Sequence, residues 1–243
     1  MSRKLASDIE QIKKMNEHLL RTDRLAAMGT LSAGVAHEVN NPLASISSLI
    51  QMLQKNGSAN GETAEMLTLI SEQIGRISRV TKDLTDFARV RPAARKPVNP
   101  NDILDSALRL ASFSATSEKI EIQKNYQPGL PSINADSDQL QQVFLNLFLN
   151  AFDAMADGGL LAITTKQADG FAVVEISDTG PGIPEADAKR IFDPFFTTKP
   201  TGKGTGLGLA VCYGVVTAHG GTIELSTTSP EGSTFIVKLP LET

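Results

Sequence analysis

The sequence contains few of the residues that build covalent or metal cross-links. Its 243 residues include one cysteine, three histidines and no tryptophan. A single cysteine, Cys212, excludes an internal disulfide and a cysteine-built zinc site, and this is typical of a reducing cytosol. No apolar run approaches the roughly 20 residues needed to span a bilayer, and no signal-peptide pattern opens the chain. We therefore expect a cytoplasmic protein, or the cytosolic part of a longer membrane-bound one.

An excess of charge is also lacking. The sequence contains 23 Lys and Arg residues and 27 Asp and Glu residues, so its formal net charge is −4. This balance gives no reason to expect nucleic acid or an anionic membrane surface as partner. Hydrophobic content of 41% and charged content of 21% are typical of soluble globular proteins. The length allows one large domain or two ordinary ones.

A helical apolar seam runs through residues 25–53. The positions at alternating steps of three and four are mostly apolar, as in a coiled coil. His37 falls off this seam, Glu38 is its neighbour, and Asn41 lies one turn further on the same side. An exposed imidazole beside a carboxylate contributes little to folding stability, so these residues indicate a function. Pro42 should kink the helix.

A second helix is predicted at residues 62–88, after a turn at residues 56–61. The two helices should form an antiparallel hairpin. Each apolar stripe is too narrow to make a core alone, so two hairpins are expected to pair into a four-helix bundle. This predicts a homodimer. Residues 1–24 fit a helical lead-in or, equally well, a solvated helix.

The pattern changes at residues 89–101, which contain three prolines and four basic residues. The sequence therefore predicts a helical domain at 25–90, a linker at 91–101 and a second domain at 102–243. In the second domain, Asn101 or Asp102 should cap the first helix, and an amphipathic helix should span Asp138–Met155. A strand hairpin, a helix near residues 207–218 and two closing strands follow. This order predicts an α+β fold whose second domain is a two-layer α/β sandwich.

Polar side chains recur along one edge of the helix at residues 138–155. Asn146, Asn150 and Asp153 are spaced by four and three residues. Amide and carboxylate oxygens in a row suit a hard cation such as Mg²⁺. An ordinary polar helix face has the same pattern, and taken alone this spacing favours the ordinary face.

Two glycine-rich segments follow in the second domain. Asp178 comes after an apolar strand, and Gly180 and Gly182 would let a flat ligand approach the backbone, although a plain turn has the same residues. The second segment opens a helix, whose free N–H groups suit a phosphate, and two lysines lie nearby. It is not a P-loop, because no Gly-Lys-Ser/Thr ends it. Its candidate binding residues are Lys199, Lys203, Gly204, Thr205, Gly206, Leu207 and Gly208.

Five motifs in order resemble those of two-component sensor histidine kinases. AHEVNNPL resembles the histidine box of that family, NLFLNAFDAM the asparagine box, DTGPGIP and GTGLGL the glycine boxes, and DPFFTTK the phenylalanine box. Together they cover nearly everything from residue 24 to the end. The resemblance implies a dimeric helical domain followed by the ATP-binding fold shared with gyrase-type and mismatch-repair ATPases.

The resemblance also implies roles in binding Mg-ATP. Asp178 would hydrogen-bond the adenine amino group, and Asn150, supported by Asn146, would hold Mg²⁺. The amides of residues 204–208 would surround the phosphates, under a lid at residues 183–204. The lid would be anchored by Phe192, Phe195 and Phe196.

By the same resemblance, His37 would take the γ-phosphoryl group of ATP and pass it to an aspartate of a response regulator. Glu38 would fix the imidazole tautomer, as the carboxylate of a catalytic triad does. Asn41, three residues after Glu38, matches the family's phosphatase motif. Two alternatives stay open: a stand-alone ATPase of the same superfamily, and a non-catalytic dimeric scaffold that binds nucleotide.

Overall fold

The computed structural model describes residues 39, 42–53, 63, 65–71, 73–75, 77, 81, 94–113, 119–199 and 204–242. The chain divides into two units, Met1–Val90 with Lys199–Thr205, and Arg91–Thr198 with Gly206–Thr243. Among the described residues, no helix combines the length and apolar character that crossing a membrane requires. The predictions for residues 1–24 and for the turn at 56–61 lie outside the described residues.

The first unit is helical wherever it is described between residues 39 and 81. Helix α1 covers residues 42–53, and the described residues from 63 to 81 belong to helix α2. This agrees with the two predicted helices, whereas the kink expected at Pro42 would involve residues outside the described ranges. Several large apolar side chains of this unit are exposed in the single chain: Leu43, Ile50, Met52, Leu67, Leu69 and Ile74.

The second unit is a two-layer sandwich, which confirms the predicted fold class. Its main sheet has five strands in the order β2-β4-β5-β7-β6. Neighbouring strands are antiparallel, except that β2 and β4 are parallel. Its elements are β1 (Lys96–Val98), α3 (Pro100–Ala111), β2 (Ile120–Tyr126), β3 (Ile133–Ala135), α4 (Ser137–Ala154), β4 (Gly159–Ala168), β5 (Phe171–Asp178), α5 (Glu185–Ala188), α6 (Gly208–Ala218), β6 (Thr222–Ser229) and β7 (Gly232–Pro240).

Helix α4 is the centre of the core. Its apolar positions recur at helical spacing, so one face is buried along its whole length. Phe144, Phe148 and Phe152 are fully buried there. Helices α3 and α6 both pack against α4. The inward-facing residues of β4, β5 and β7 complete the core. The strongly amphipathic helix predicted from the sequence is thus the element around which the sandwich is built.

The predicted linker at residues 91–101 differs from the structure in its second half. Lys96–Val98 forms β1 and pairs antiparallel with Ile133–Ala135. Asn99, rather than Asn101 or Asp102, caps α3: its side chain accepts a hydrogen bond from the backbone N–H of Asn101 at 2.9 Å. Pro100 then occupies the first helical position, where its missing N–H costs nothing. The prolines and basic residues concealed a strand whose partner lies more than 30 residues away.

Candidate functional site

The candidate site begins at Asp178, the last residue of the central strand β5. Its side chain is only 8% exposed, and its backbone is paired with Leu161 on β4 and Ser233 on β7. Burial raises the pKa of this carboxyl group, and backbone hydrogen bonds from Gly180 and Ser233 act in the opposite direction. The sheet therefore holds one buried carboxyl group at its end, in a place suited to accept a hydrogen bond from a ligand.

The loop after Asp178 is pressed between α4 and β6. A Cβ on Gly180 would lie 2.9 Å from the Cβ of Ala154, at the end of α4. Gly182 has φ +72°, and a Cβ there would overlap the carbonyl oxygen of Ser229. The protein's own atoms thus fill the space that both glycines leave. We expected the glycines to open the backbone to a flat ligand; the structure gives them a packing role, and ligand contact stays a prediction.

Two threonines that the sequence reading did not single out fix this loop. The hydroxyl of Thr228 accepts a hydrogen bond from the N–H of Ile183 at 2.7 Å and donates to its carbonyl oxygen at 3.0 Å. The hydroxyl of Thr179 accepts from the N–H of Leu160 at 2.9 Å. Nothing local marks Thr228 in the sequence, because its importance arises from a contact 45 residues away.

Helix α4 carries the predicted polar edge beside this loop. Asn146 and Asn150 are half-buried, and Asp153 is exposed. The side-chain amide of Asn146 donates a hydrogen bond to the carbonyl oxygen of Gly208 at 3.4 Å. Gly208 begins helix α6, which has no side-chain hydrogen bond at its N-cap, Leu207. The N-terminus of one helix therefore lies against the amide side chain of another, and a helix N-terminus suits an anion.

The spacing along α4 relates the two ends of the site. Gly180 packs on Ala154 at the end of α4, and Gly208 meets Asn146 eight residues earlier. A rise of 1.5 Å per residue separates these levels by about 12 Å, with Asn150 halfway between them. The loop that holds a buried carboxyl group thus lies at one level, and the N-terminus of a helix lies at the other. This arrangement fits an extended ligand with a planar hydrogen-bond donor group and phosphates.

The donor set also fits Mg²⁺. Magnesium keeps several waters and is usually held by one or two protein oxygens together with substrate phosphates. Asn146 contacts the start of α6, and Asn150 lies one turn further along α4, so two amide oxygens are available near a helix N-terminus. Among the residues that the structure describes, no three His, Cys, Asp or Glu side chains form a group that could hold a metal ion.

The segment before α6 is held by a backbone contact. Gly206 has φ +66°, its carbonyl oxygen accepts from the N–H of Phe195 at 2.9 Å, and a Cβ on it would overlap the Phe195 backbone. Phe192 lies 5.9 Å from the ring of Tyr213 and 6.5 Å from that of Phe235. The guanidinium of Arg190 lies 4.6 Å above the ring of Phe196. Phe192 and Phe196 also pack against the core of the sandwich. Together with the backbone contact of Phe195, they attach residues 190–196 to it.

The described structure does not test several predicted site residues. Lys199, Gly204 and Thr205 fall in the other unit, so their contact with nucleotide stays a prediction. Lys203 lies outside the described residues. The predicted nucleophile His37, with Glu38 and Asn41, also lies outside the described residues, so the roles of all three stay predictions.

His219 follows α6 in a His-Gly-Gly sequence, which is typical of a helix C-cap and turn. The structure agrees with the C-cap: His219 ends the helix, and Gly220 turns the chain with φ +75°. The ring is 4% exposed, its Nε2 accepts from the N–H of Asp136 at 3.1 Å, and its Nδ1 lies 2.8 Å from the carbonyl oxygen of Val215. Both ring nitrogens are therefore occupied by the protein.

Comparison with protein families places two domains on the chain. Residues 27–93 match the His Kinase A (phospho-acceptor) domain. Residues 135–243 match the family of histidine kinase-, DNA gyrase B- and HSP90-like ATPases. The class is thus a phospho-acceptor domain followed by an ATPase-type sandwich.

Individual relatives agree. The sensor histidine kinase ZraS of Escherichia coli K12 is 36% identical over 93% of this chain. A mycobacterial sensor histidine kinase, MprB, has a solved structure that is 30% identical over 61% of this chain and 99% of its own, with a TM-score of 0.54. The histidine kinase ThkA, solved with the response regulator protein TrrA, is 26% identical over 94% of this chain and 66% of its own, with a TM-score of 0.80. The chain belongs to the sensor histidine kinase family. It spans about half the length of the curated relatives it matches, 48% in the case of ZraS.

Proposed function

We propose that this chain is a histidine kinase core that phosphorylates His37 from Mg-ATP and passes the phosphoryl group to an aspartate of a response regulator. The spacing along α4 supports it most directly: the loop that holds the Asp178 carboxyl group and the N-terminus of α6 contact α4 at levels about 12 Å apart, in a domain of the ATPase family. His37 lies within the stretch that matches a phospho-acceptor domain. The cytoplasmic location expected from the single cysteine is part of this proposal.

The nucleotide would lie along α4. The Asp178 carboxylate would accept a hydrogen bond from the adenine amino group at the end of β5. The N–H groups at the start of α6 would receive the phosphates, with positive charge from Lys199 and Lys203. Asn150, with Asn146 beside it, would hold Mg²⁺, which neutralises charge on the phosphate oxygens.

His37 would be the nucleophile. Near neutral pH an imidazole is largely uncharged, so one ring nitrogen carries a free lone pair. That nitrogen bonds to the γ-phosphorus while the bond from the γ-phosphorus to the bridging oxygen breaks, and ADP leaves. Glu38, by accepting a hydrogen bond from the other ring nitrogen, would fix the tautomer and stabilise the positive charge that develops. Transfer to a regulator aspartate then regenerates the imidazole.

Two further elements of the proposal concern partners. The exposed apolar side chains of α1 and α2 support pairing of two chains into a four-helix bundle. The complex of the relative ThkA with TrrA supports a response regulator as partner. We also propose that the chain dephosphorylates its regulator, with Asn41 orienting the attacking water. The phospho-acceptor match disfavours both a stand-alone ATPase and a non-catalytic scaffold.

The test is incubation with γ-labelled ATP and magnesium. Label should appear on the protein, survive base and be lost in acid, as a phosphohistidine is. His37→Ala should abolish the label and leave nucleotide affinity unchanged, and His18→Ala, which removes a histidine outside the five motifs, is the control that keeps the label. Acid-stable label, or label retained by His37→Ala, would overturn the proposal.

A further inference from the structure

Helices α4 and α6 run antiparallel and are joined by polar contacts at three levels. Each level has one contact, between a polar atom of the α4 segment and a polar atom of the α6 segment. They are the N–H of Asp136 to Nε2 of His219 at 3.1 Å, Sγ of Cys212 to the carbonyl oxygen of Val143 at 3.6 Å, and the amide of Asn146 to the carbonyl oxygen of Gly208 at 3.4 Å.

The three contacts follow one continuous register. Seven residues separate Asp136 from Val143, and seven separate Cys212 from His219. The next contact lies three residues further along α4 and four residues back along α6. At 1.5 Å per residue, the His219 contact lies about 15 Å from the level of Asn146. The nucleotide site and the His219 contact are thus opposite ends of the same helix pair.

His219 is built to accept this one partner. Its ring is buried, and Nδ1 lies against the carbonyl oxygen of Val215 on its own helix, which fixes the proton on Nδ1. Nε2 is then a lone-pair acceptor aimed at the N–H of Asp136. Sliding α6 by one residue would separate the two and leave a half-buried donor and a buried acceptor unpaired, which is costly. An apolar contact has no such preference for one register.

Residues 94 and 95 hold the same end of the helix pair. The guanidinium of Arg95 donates to the carbonyl oxygen of Ala218, the last residue of α6. The N–H of Ala94 donates to Oδ2 of Asp136 at 3.0 Å, while Oδ1 of Asp136 caps α4. Arg95 and Asp136 are the charged groups that act on the His219 ring. Both helices are therefore tied to the segment that enters the sandwich.

We propose that His219 is a positioning residue: by binding the N–H of Asp136 it sets the register of α6 against α4, and so holds Gly208 beside Asn146. The inference deepens the proposed function. Its claim about the register of α6 stands by itself, and its claim about ATP affinity rests on the proposed function. It predicts that loss of the acceptor at residue 219 changes the structure about 15 Å away, at the backbone amides that would receive phosphate.

Two substitutions separate the acceptor from the volume of the ring. His219→Phe keeps the ring but has no acceptor, and His219→Gln keeps an oxygen near the place of Nε2. Thr165→Val is the matched control, because Thr165 is equally buried and hydrogen-bonded, to Asn101 and Gln127, but lies on β4. If His219→Phe does not fold, His219→Asn replaces it, since Asn reaches only as far as the Val215 contact.

The first measurement is amide hydrogen exchange at residues 206–212 and 143–150 in protein free of nucleotide. His219→Phe should speed exchange there at least about fivefold, and His219→Gln should stay within about twofold of the unchanged protein. Thr165→Val should lower the unfolding temperature without this local change. The proposal is overturned if His219→Phe changes only the unfolding temperature, or if His219→Gln exchanges as fast as His219→Phe.

The second measurement is affinity for a non-hydrolysable ATP analogue with magnesium, at a temperature where every variant is folded. His219→Phe should bind at least about fivefold more weakly, and His219→Gln and Thr165→Val should bind as the unchanged protein does. Unchanged affinity in His219→Phe would contradict the positioning role. If the unchanged protein bound no nucleotide, the proposed function would fail, while the exchange measurement would still decide the register.

Discussion

The backbone N–H of Gly180 donates a hydrogen bond to Oδ1 of Asp178 at 2.9 Å. The contact bends the chain directly after β5 and fixes the orientation of a buried carboxyl group. Burial disfavours the charged form, so the carboxylate is held at some cost to the stability of the empty domain. A ligand that donates a hydrogen bond to Asp178 would offset that cost.

The first prediction concerns the contribution of Asp178 to the affinity of the protein for ATP. Asp178→Asn has the same shape, but its NH₂ group would face the amino group of adenine, so two donors would meet. A hydrogen bond to a charged group is worth about 1.5–3 kcal/mol, so affinity for ATP should fall by about 10- to 100-fold, measured by titration calorimetry. Asp105→Asn, at a carboxylate of α3 that pairs with Lys124, is the control and should bind normally.

A second prediction concerns the stability of the same variant without nucleotide. The folded state raises the pKa of Asp178 above the ordinary value of 3.8, so the folded protein binds a proton more readily than the unfolded chain. Stability from this group therefore falls as pH rises through the raised pKa. Asp178→Asn should unfold at a higher temperature than the unchanged protein at pH 7, and the difference should shrink as the pH is lowered toward 4. A lower unfolding temperature at pH 7 would contradict the cost assigned to the buried charge.

The third prediction concerns Gly206. Gly206→Ala places a Cβ against the Phe195 backbone at φ +66°, whereas Gly170→Ala also has a positive φ, +80°, but meets open space. The positive φ alone costs about 1–2 kcal/mol, which is what Gly170→Ala should lose in urea unfolding. Gly206→Ala should lose more, or should shift the 195–206 contact and weaken nucleotide binding. Equal behaviour of the two variants in both assays would show that the Phe195 contact has no effect.

The fourth prediction concerns acid. Burial lowers the pKa of His219 below 6.5, and the Arg95 charge acts in the same direction, opposed by the Val215 hydrogen bond and Asp136. The contribution of the neutral ring to stability is complete above pH 6.5 and is lost as the pH falls toward the lowered pKa, because the unfolded state takes up the proton first. Thermal unfolding from pH 7.5 to 5 should show this loss, and His219→Gln should reduce it. An identical pH profile in the two proteins would exclude His219 as its source.

The fifth prediction concerns Asn41. If it orients the water that hydrolyses the regulator's phosphoaspartate, Asn41→Ala should slow regulator dephosphorylation by at least about tenfold while autophosphorylation persists. Both rates can be followed with labelled protein and regulator, and Asn40→Ala, at the adjacent asparagine, is the control. Equal loss of both activities would assign Asn41 to the structure of the helix instead.

The sequence predicted those parts of the sandwich whose pattern is local. The hairpin of β4 and β5 was predicted, and helices α4 and α6 begin and end within one residue of their predicted bounds. Asp178 was singled out as a candidate site residue because it follows a strand and precedes a glycine turn, whereas its burial was not predicted. In each case, one contiguous stretch carries both the periodicity and its end signals.

The rest depends on contacts between distant residues, which local patterns do not contain. Strand β1 is defined by its pairing with β3, and its three residues, with a proline among them, have no strand pattern. Asn99 was missed although Asn-Pro is a good helix start, because Asn101 and Asp102 are equally good caps when read alone. Nothing near His219 in the chain indicates that its partner is Asp136.

The parallel pairing of β2 with β4 has a consequence for how the domain folds. Parallel neighbours need a crossover, and here the chain between them includes α4. The edge strand β2 therefore joins the sheet through contacts of long sequence separation, which are slow to form because the entropy of closing the chain between them must be lost first. A substitution that loosens α4 should therefore delay folding of the whole sandwich, and the rate of refolding would report on the same helix that carries Asn146 and Asn150.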